Sequence, residues 1–222
     1  MGRKTAAYTG PFLIFMLFLG LSGSLDSAHV TLAGLAPIYV IFPVQTLVCA
    51  GILVFFWREY QLTLPRKPWI AITIGLLVLA AWIAPQFIIH RARRLNGFNP
   101  TLFASQPALY NMELAFRFLR LVIVVPLIEE IFWRGFLLRY LVSDDFLATP
   151  FGTYASRPDV LVAFGFMLEH SYADYIPALV AGFLYNQVAY RTKSLSSCVL
   201  AHSATNALLG AYIMITHQWG FW

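Results

Sequence analysis

Long apolar runs separated by short polar or basic breaks dominate this chain. Runs near the ~20 residues a helix needs to cross a bilayer are Tyr8–Ser24, Leu35–Trp57 and Pro68–His90. A basic knot (Arg91, Arg93, Arg94) and a turn, Asn96-Gly-Phe-Asn-Pro100, lead into a longer segment, Asn111–Val142. Pro126 interrupts that segment, so it predicts two helices or one kinked helix. At its start Glu113, Arg117 and Arg120 stand at i, i+4 and i+7, which predicts an interfacial amphipathic face. A polar loop, Ser143–Pro158, precedes the runs Asp159–Ser171, Tyr175–Arg191 and Leu195–Trp219. Asp159–Ser171 is short for a crossing. The pattern predicts an all-α, polytopic membrane helix bundle, with residues 1–222 as one integral membrane domain.

Composition agrees with that pattern. Of 222 residues, 59% are hydrophobic and 11% charged, against roughly 25% charged in an average soluble domain. That leaves too little charge to cover a soluble surface. The net charge of +5 comes from basic residues between the apolar runs. This suits anionic lipid headgroups and topology control; no basic, aromatic-interleaved patch points to nucleic acid. Arg3 and Lys4 ahead of Pro11–Leu21 resemble a signal-peptide start, but the further apolar runs favour a retained first span.

Positive-inside counting predicts a cytoplasmic N-terminus. Arg3, Lys4, Arg58, Arg66, Lys67, Arg139, Arg157, Arg191 and Lys193 then share one side, and the Ser24–Gly34 loop with Asp26 lies on the other. The Arg91/Arg93/Arg94 knot is the exception, because this count places it outside. Cys49 and Cys198 form no CxxC or Cys/His zinc spacing and read as buried small hydrophobes.

Three polar constellations break the apolar runs. Glu129 and Glu130 are adjacent, with Arg134 four residues after Glu130, so Arg134 can pair with Glu130 on one helix face. Glu129 points about 100° away and is left to face a cavity. The bland alternative is a helix–helix ion pair, but ionisable groups within a membrane are costly and by default functional. Phe166 and His170 are four apart, so the ring can pack over the imidazole. Glu169 beside them reads as either a second acid or a headgroup-level charge, and the headgroup reading is favoured. His202 and Asn206 share a face and could aim two donors at one developing oxyanion, or act as interhelical hydrogen-bonding glue. Together the three would suffice for water-mediated amide hydrolysis. A zinc mechanism could draw on Glu129, His170 and His202, but HExxH is absent, and a metal-free, cofactor-free site is favoured.

The order Glu-Glu-x-x-x-Arg (Glu129, Glu130, Arg134), Phe-x-x-x-His (Phe166, His170) and His-x-x-x-Asn (His202, Asn206) resembles that of the CPBP intramembrane glutamic endopeptidases. That family contains the type II CAAX prenyl proteases and the Abi or bacteriocin-processing proteins. The motif region covers residues 111–210. The resemblance implies about seven to eight membrane helices around an intramembrane polar cavity open to the cytoplasm and to lipid. It implies Glu129 as base, His170 assisting the water, His202 and Asn206 as oxyanion hole, and Glu130, Arg134 and Phe166 in support. Arg191-Thr-Lys-Ser-Leu-Ser-Ser-Cys198 departs from the commoner form of its stretch, with Lys193 in place of glycine. Trp57-Arg-Glu-Tyr60 and the compact chain are also similar to a bacterial CAAX-protease-related branch found beside exosortase sorting systems.

The expected activity is an intramembrane endopeptidase acting on a membrane-associated or lipid-anchored protein or peptide. The expected location is a bacterial inner (cytoplasmic) membrane. The alternatives are an inactive scaffold or chaperone of the same fold that binds a partner peptide and, with less support, a small transporter using Glu129 and Glu130 as a proton relay.

Overall fold

The computed structural model describes residues 2–222. Its long helices are α1 (Gly2–Ser27), α2 (Ile38–Phe55) and α3 (Pro68–Ile88), then a composite α4, α5 (Ser156–Leu168), α6 (Tyr175–Thr192) and α7 (Leu195–Thr216). Among the described residues no strand forms; the one extended pairing is an isolated bridge between Leu32 and Leu35. The all-helical bundle follows from the medium: without water, each backbone N–H and C=O must be satisfied within the segment that carries it.

The long polar-punctuated segment is one helical run, not two separate helices. α4 runs without a break over 107–140, in turn as α-helix (Pro107–Leu119), π-helix (Arg120–Val124), α-helix (Val125–Glu130), π-helix (Ile131–Leu137) and a last α turn (Leu138–Tyr140). Pro126 lies at the start of the α segment between the two π stretches.

Four helices, α1, α2, α3 and α7, are long and apolar enough to cross a membrane. Their outward residues, such as Leu17, Leu47, Val54 and Leu77, are apolar and exposed. A helix that is apolar all round, with an exposed greasy face, is a lipid-facing helix, and the chain is an integral membrane protein. Inside, one continuous core joins all seven helices, from Tyr8 and Phe12 of α1 through Val78, Ile128 and Val162 to Val188 and Ala201. α3 packs extensively on α7 and α6, and α5 on α6. At Gly182 of α6 an added Cβ would stand 2.8 Å from the Ala163 Cα of α5, so only glycine permits this approach.

The two ends of the bundle are held differently. At the N-terminal end Arg3 pairs with Glu59 at 2.8 Å, and Lys67 Nζ donates to the Arg191 carbonyl at 3.1 Å. At the other end the basic knot is tied down: Arg91 donates to the Ala173 carbonyl, Arg93 to the Thr216 carbonyl, and Arg94 pairs with Asp174. Glu113, Arg117 and Arg120 do not form an interfacial face. All three are buried, with Arg117 stacked among Phe42, Phe98 and Trp222. An i, i+4, i+7 polar face looks alike in sequence whether headgroups or aromatic rings cover it.

Candidate functional site

Pro126 is the local cause from which the site is built. In the first π stretch the Val125 N–H bonds back five residues to the Arg120 carbonyl. The next carbonyl in that register, Leu121, would need an N–H from Pro126, which has none. Asn206 of α7 fills the gap: its Nδ2 donates to the Leu121 carbonyl at 2.8 Å. One Nδ2 hydrogen is thus committed, which fixes the amide and leaves the other free. Glu129 and Glu130 follow at the end of the short α segment between the two π stretches, a kind of irregularity common at functional sites.

Arg134 organises the layer beneath. Its side chain is fully buried, and Nη1 donates to Glu130 Oε1 at 3.2 Å. Nε donates to Asn186 Oδ1 at 3.0 Å and Nη2 to the Gly182 carbonyl at 2.9 Å, while the guanidinium lies over the Phe166 and Tyr185 rings. Asn186 in turn donates to Asp159 Oδ1, which also accepts from the Tyr190 hydroxyl. Sequence reasoning singled out none of Gly182, Tyr185, Asn186, Asp159 or Tyr190. An amide at position 186 inside an apolar run was the one available signal.

Above this layer lies a cavity of about 520 Å³ whose walls include Glu129, Phe166, His170, His202 and Asn206. Glu130 and Arg134 lie behind the wall. His202 Nδ1 is 3.0 Å from Glu130 Oε1 and its Nε2 is 3.9 Å from Glu129 Oε2. With Glu130 ionised and paired to Arg134, Nδ1 must donate. For Nε2 to donate as well, the ring must carry both protons. Tyr185 stacks on the ring at 5.0 Å and bonds Thr205 through its hydroxyl at 2.8 Å, so the imidazole cannot turn. His170 Nδ1 is 2.8 Å from the Phe166 carbonyl. A carbonyl only accepts, so Nδ1 carries the proton and Nε2 presents a lone pair when the ring is neutral. Phe166, at 5.0 Å, and Trp82, at 5.4 Å, both pack against this ring.

Arg120 and Glu169 also line the cavity. Arg120 rests on Phe15 and Phe42, with Nε donating to Gln45 Oε1 at 2.8 Å. Glu169 is not a headgroup-level charge: its side chain is 7% exposed, and its Oε2 accepts from the Trp133 indole at 3.1 Å. Its neighbour in sequence, His170, gave the only hint of this placement. Glu129, His170 and His202 do not form a metal-holding cluster, and no group of three or more His, Cys, Asp or Glu does so among the described residues.

The cavity extends from mid-bundle towards the end that carries Arg94, Gly97, Asp174 and Trp222, away from the Arg3–Glu59 end. A cytoplasmic N-terminus and a cavity facing the cytoplasm therefore do not fit together.

Residues 111–208 match the family model described as type II CAAX prenyl endopeptidase, Rce1-like. The matched stretch is a little under half of the chain and contains all three motifs. It supports the CAAX-protease family, and with it an intramembrane endopeptidase in general. No curated protein and no solved structure matches the chain.

Proposed function

We propose that this chain is a glutamate-type intramembrane endopeptidase of the CAAX-protease family that hydrolyses a peptide bond in a membrane-associated or lipid-anchored substrate. The observation that carries this reading is convergence: Glu129 from α4, His170 from the end of α5, and His202 and Asn206 from α7 line one cavity inside the bundle. Glu129 takes a proton from water, His170 orients that water through Nε2, and the water oxygen attacks the scissile carbonyl. The oxygen that becomes negative accepts from His202 Nε2–H and from the uncommitted hydrogen of Asn206. Such prepositioned donors act most strongly where water is excluded. Glu130 and Arg134 hold His202, and Phe166 holds His170.

The substrate enters laterally, since the site lies among helices whose outer faces meet lipid. The membrane is a bacterial inner membrane with the N-terminus cytoplasmic, and the cavity then faces outward. Prenylated proteins are not the expected substrates in such a membrane, so the substrate class is membrane-proximal or lipid-anchored peptides in general.

The test is turnover of a panel of lipid-anchored and transmembrane-anchored peptides, a farnesylated CAAX peptide among them, by protein in proteoliposomes. Glu129→Gln and His202→Ala are each expected to lower kcat by about 10²-fold or more. Equal rates for wild type and both variants sink the reading. Turnover that a strong chelator leaves intact, in protein free of zinc, supports water activation by glutamate; loss restored by zinc overturns that step.

A further inference from the structure

A second carboxyl group stands in the cavity beside the base. Glu169 and Glu129 approach within hydrogen-bonding reach of each other across the α4–α5 contact. Each has one buried oxygen without a partner, Glu169 Oε1 and Glu129 Oε2. Two ionised carboxylates can only accept, so such a contact leaves both oxygens orphaned at considerable cost. A single proton between the two groups turns the same geometry into a hydrogen bond. Around Glu169, α4 contributes Glu129, the Trp133 indole and the charge of Arg134. Its own segment contributes His170, with Nδ1 at 4.0 Å from Oε1. His202 of α7 lies against Glu129. The Trp133 indole fixes Oε2 and so leaves Oε1 as the oxygen free to hold the proton.

We propose that Glu169 is a second catalytic carboxyl, which shares one proton with Glu129 and delivers it to the departing amine. This rests on the hydrolytic reading above and supplies its missing half, because an amide nitrogen must be protonated to leave. In the first step Glu129 removes one water proton as the water oxygen bonds to the carbonyl carbon, and the C=O π pair moves onto oxygen. In the second that pair returns and the C–N bond breaks. The nitrogen keeps the bonding electrons and takes the proton from Glu169. The proton on Glu129 then passes to Glu169 across their contact, which restores the starting state. One water is consumed, and a carboxylic acid and an amine are released.

The sequence separates this acid role from the base role through the leaving group. The probes are the best-turned-over peptide of the panel and the same peptide with its scissile amide replaced by a thioester, whose thiolate leaves without a proton. Glu169→Gln keeps the Trp133 hydrogen bond through its amide oxygen. It is expected to lower kcat by about 10²-fold on the amide and by less than about threefold on the thioester, while Glu129→Gln loses both. Equal losses for Glu169→Gln on the two probes, or full amide turnover by it, overturn the proposal. If Glu129→Gln and His202→Ala also retain full rates, the hydrolytic reading fails with it; if only Glu169→Gln does, the base assignment stands. The shared proton is read without any substrate, by infrared spectroscopy near neutral pH. A protonated-carboxyl C=O stretch present in wild type and absent from Glu169→Gln supports the assignment of the proton to this site. Its absence from wild type, or its survival in Glu169→Gln, overturns it.

Discussion

Arg134 has no exposed surface and engages three different partners through one planar fork: Glu130, Asn186 and the Gly182 carbonyl. Lysine would bring a single ammonium to a place shaped for three separated donors. Arg134→Lys is therefore expected to leave Glu130 underpaired in a dry site, at a cost of about 3 kcal/mol or more. Thermal unfolding in detergent reads this as a lowered Tm. Lys193 is a second residue whose chemistry is local. It ends α6 at φ 52°, in the left-handed region, where glycine has no Cβ to strain. This gives a physical reason for the glycine that resembling sequences carry there. Lys193 tolerates the conformation while its Nζ donates to the Gly152 carbonyl. Lys193→Ala loses that bond and keeps the strain; Lys193→Gly loses it and relieves the strain. The glycine variant is expected to be the more stable of the two by about 1 kcal/mol, measured by the same melt.

At the scale of elements, the proline in α4 and the asparagine in α7 are one device. Pro126→Ala restores an N–H that can pair with a helical carbonyl, so α4 no longer needs Asn206. Higher thermal stability is expected together with a kcat lower by up to about 10²-fold, since a donor misplaced by an ångström costs that much. Unchanged kcat in a stabilised variant would separate the proline from the site. Gly182→Ala tests the α5–α6 contact, where the new Cβ meets Ala163 Cα at 2.8 Å. Overpacking of this kind costs about 1–3 kcal/mol, and it also shifts the Gly182 carbonyl that Arg134 uses. The apolar runs and the Glu130–Arg134 spacing could be read directly, because length and a four-residue interval carry that information. The π stretches could not, since one extra residue in a turn leaves hydropathy unchanged. Asn186 and Asp159 escaped notice for a related reason: their partners lie across helices, at separations that sequence periodicity does not encode. Glu169 was misjudged because a carboxylate near a helix end has the same local pattern whether it faces headgroups or a cavity.

For the whole molecule, the basic residues are spread unevenly over two ends that the contacts of Arg3, Lys67, Arg93 and Arg94 define. Impermeant-maleimide labelling of intact cells reports which end faces out. The background is a variant in which the buried Cys49 and Cys198 are replaced by alanine. Leu64 and Tyr172, 87% and 86% exposed, sit at opposite ends. Tyr172→Cys is expected to label and Leu64→Cys to label only after permeabilisation. The reverse pattern would place the cavity towards the cytoplasm and the N-terminus outside.

The buried fork of Arg134 also bears on how the protein reaches its membrane. α4 carries Glu129, Glu130 and Arg134 inward, all three buried. Its polar partners, Asn186 and the Gly182 carbonyl, are synthesised some fifty residues later. Until α6 emerges, the nascent α4 has nothing but Glu130 to neutralise its guanidinium. Stable insertion must therefore wait for the α5–α6 hairpin, so that α4 to α6 enter lipid as one packet. Chains truncated before Gly182 should be retained at the insertion machinery or degraded, whereas chains that extend past Asn186 should integrate.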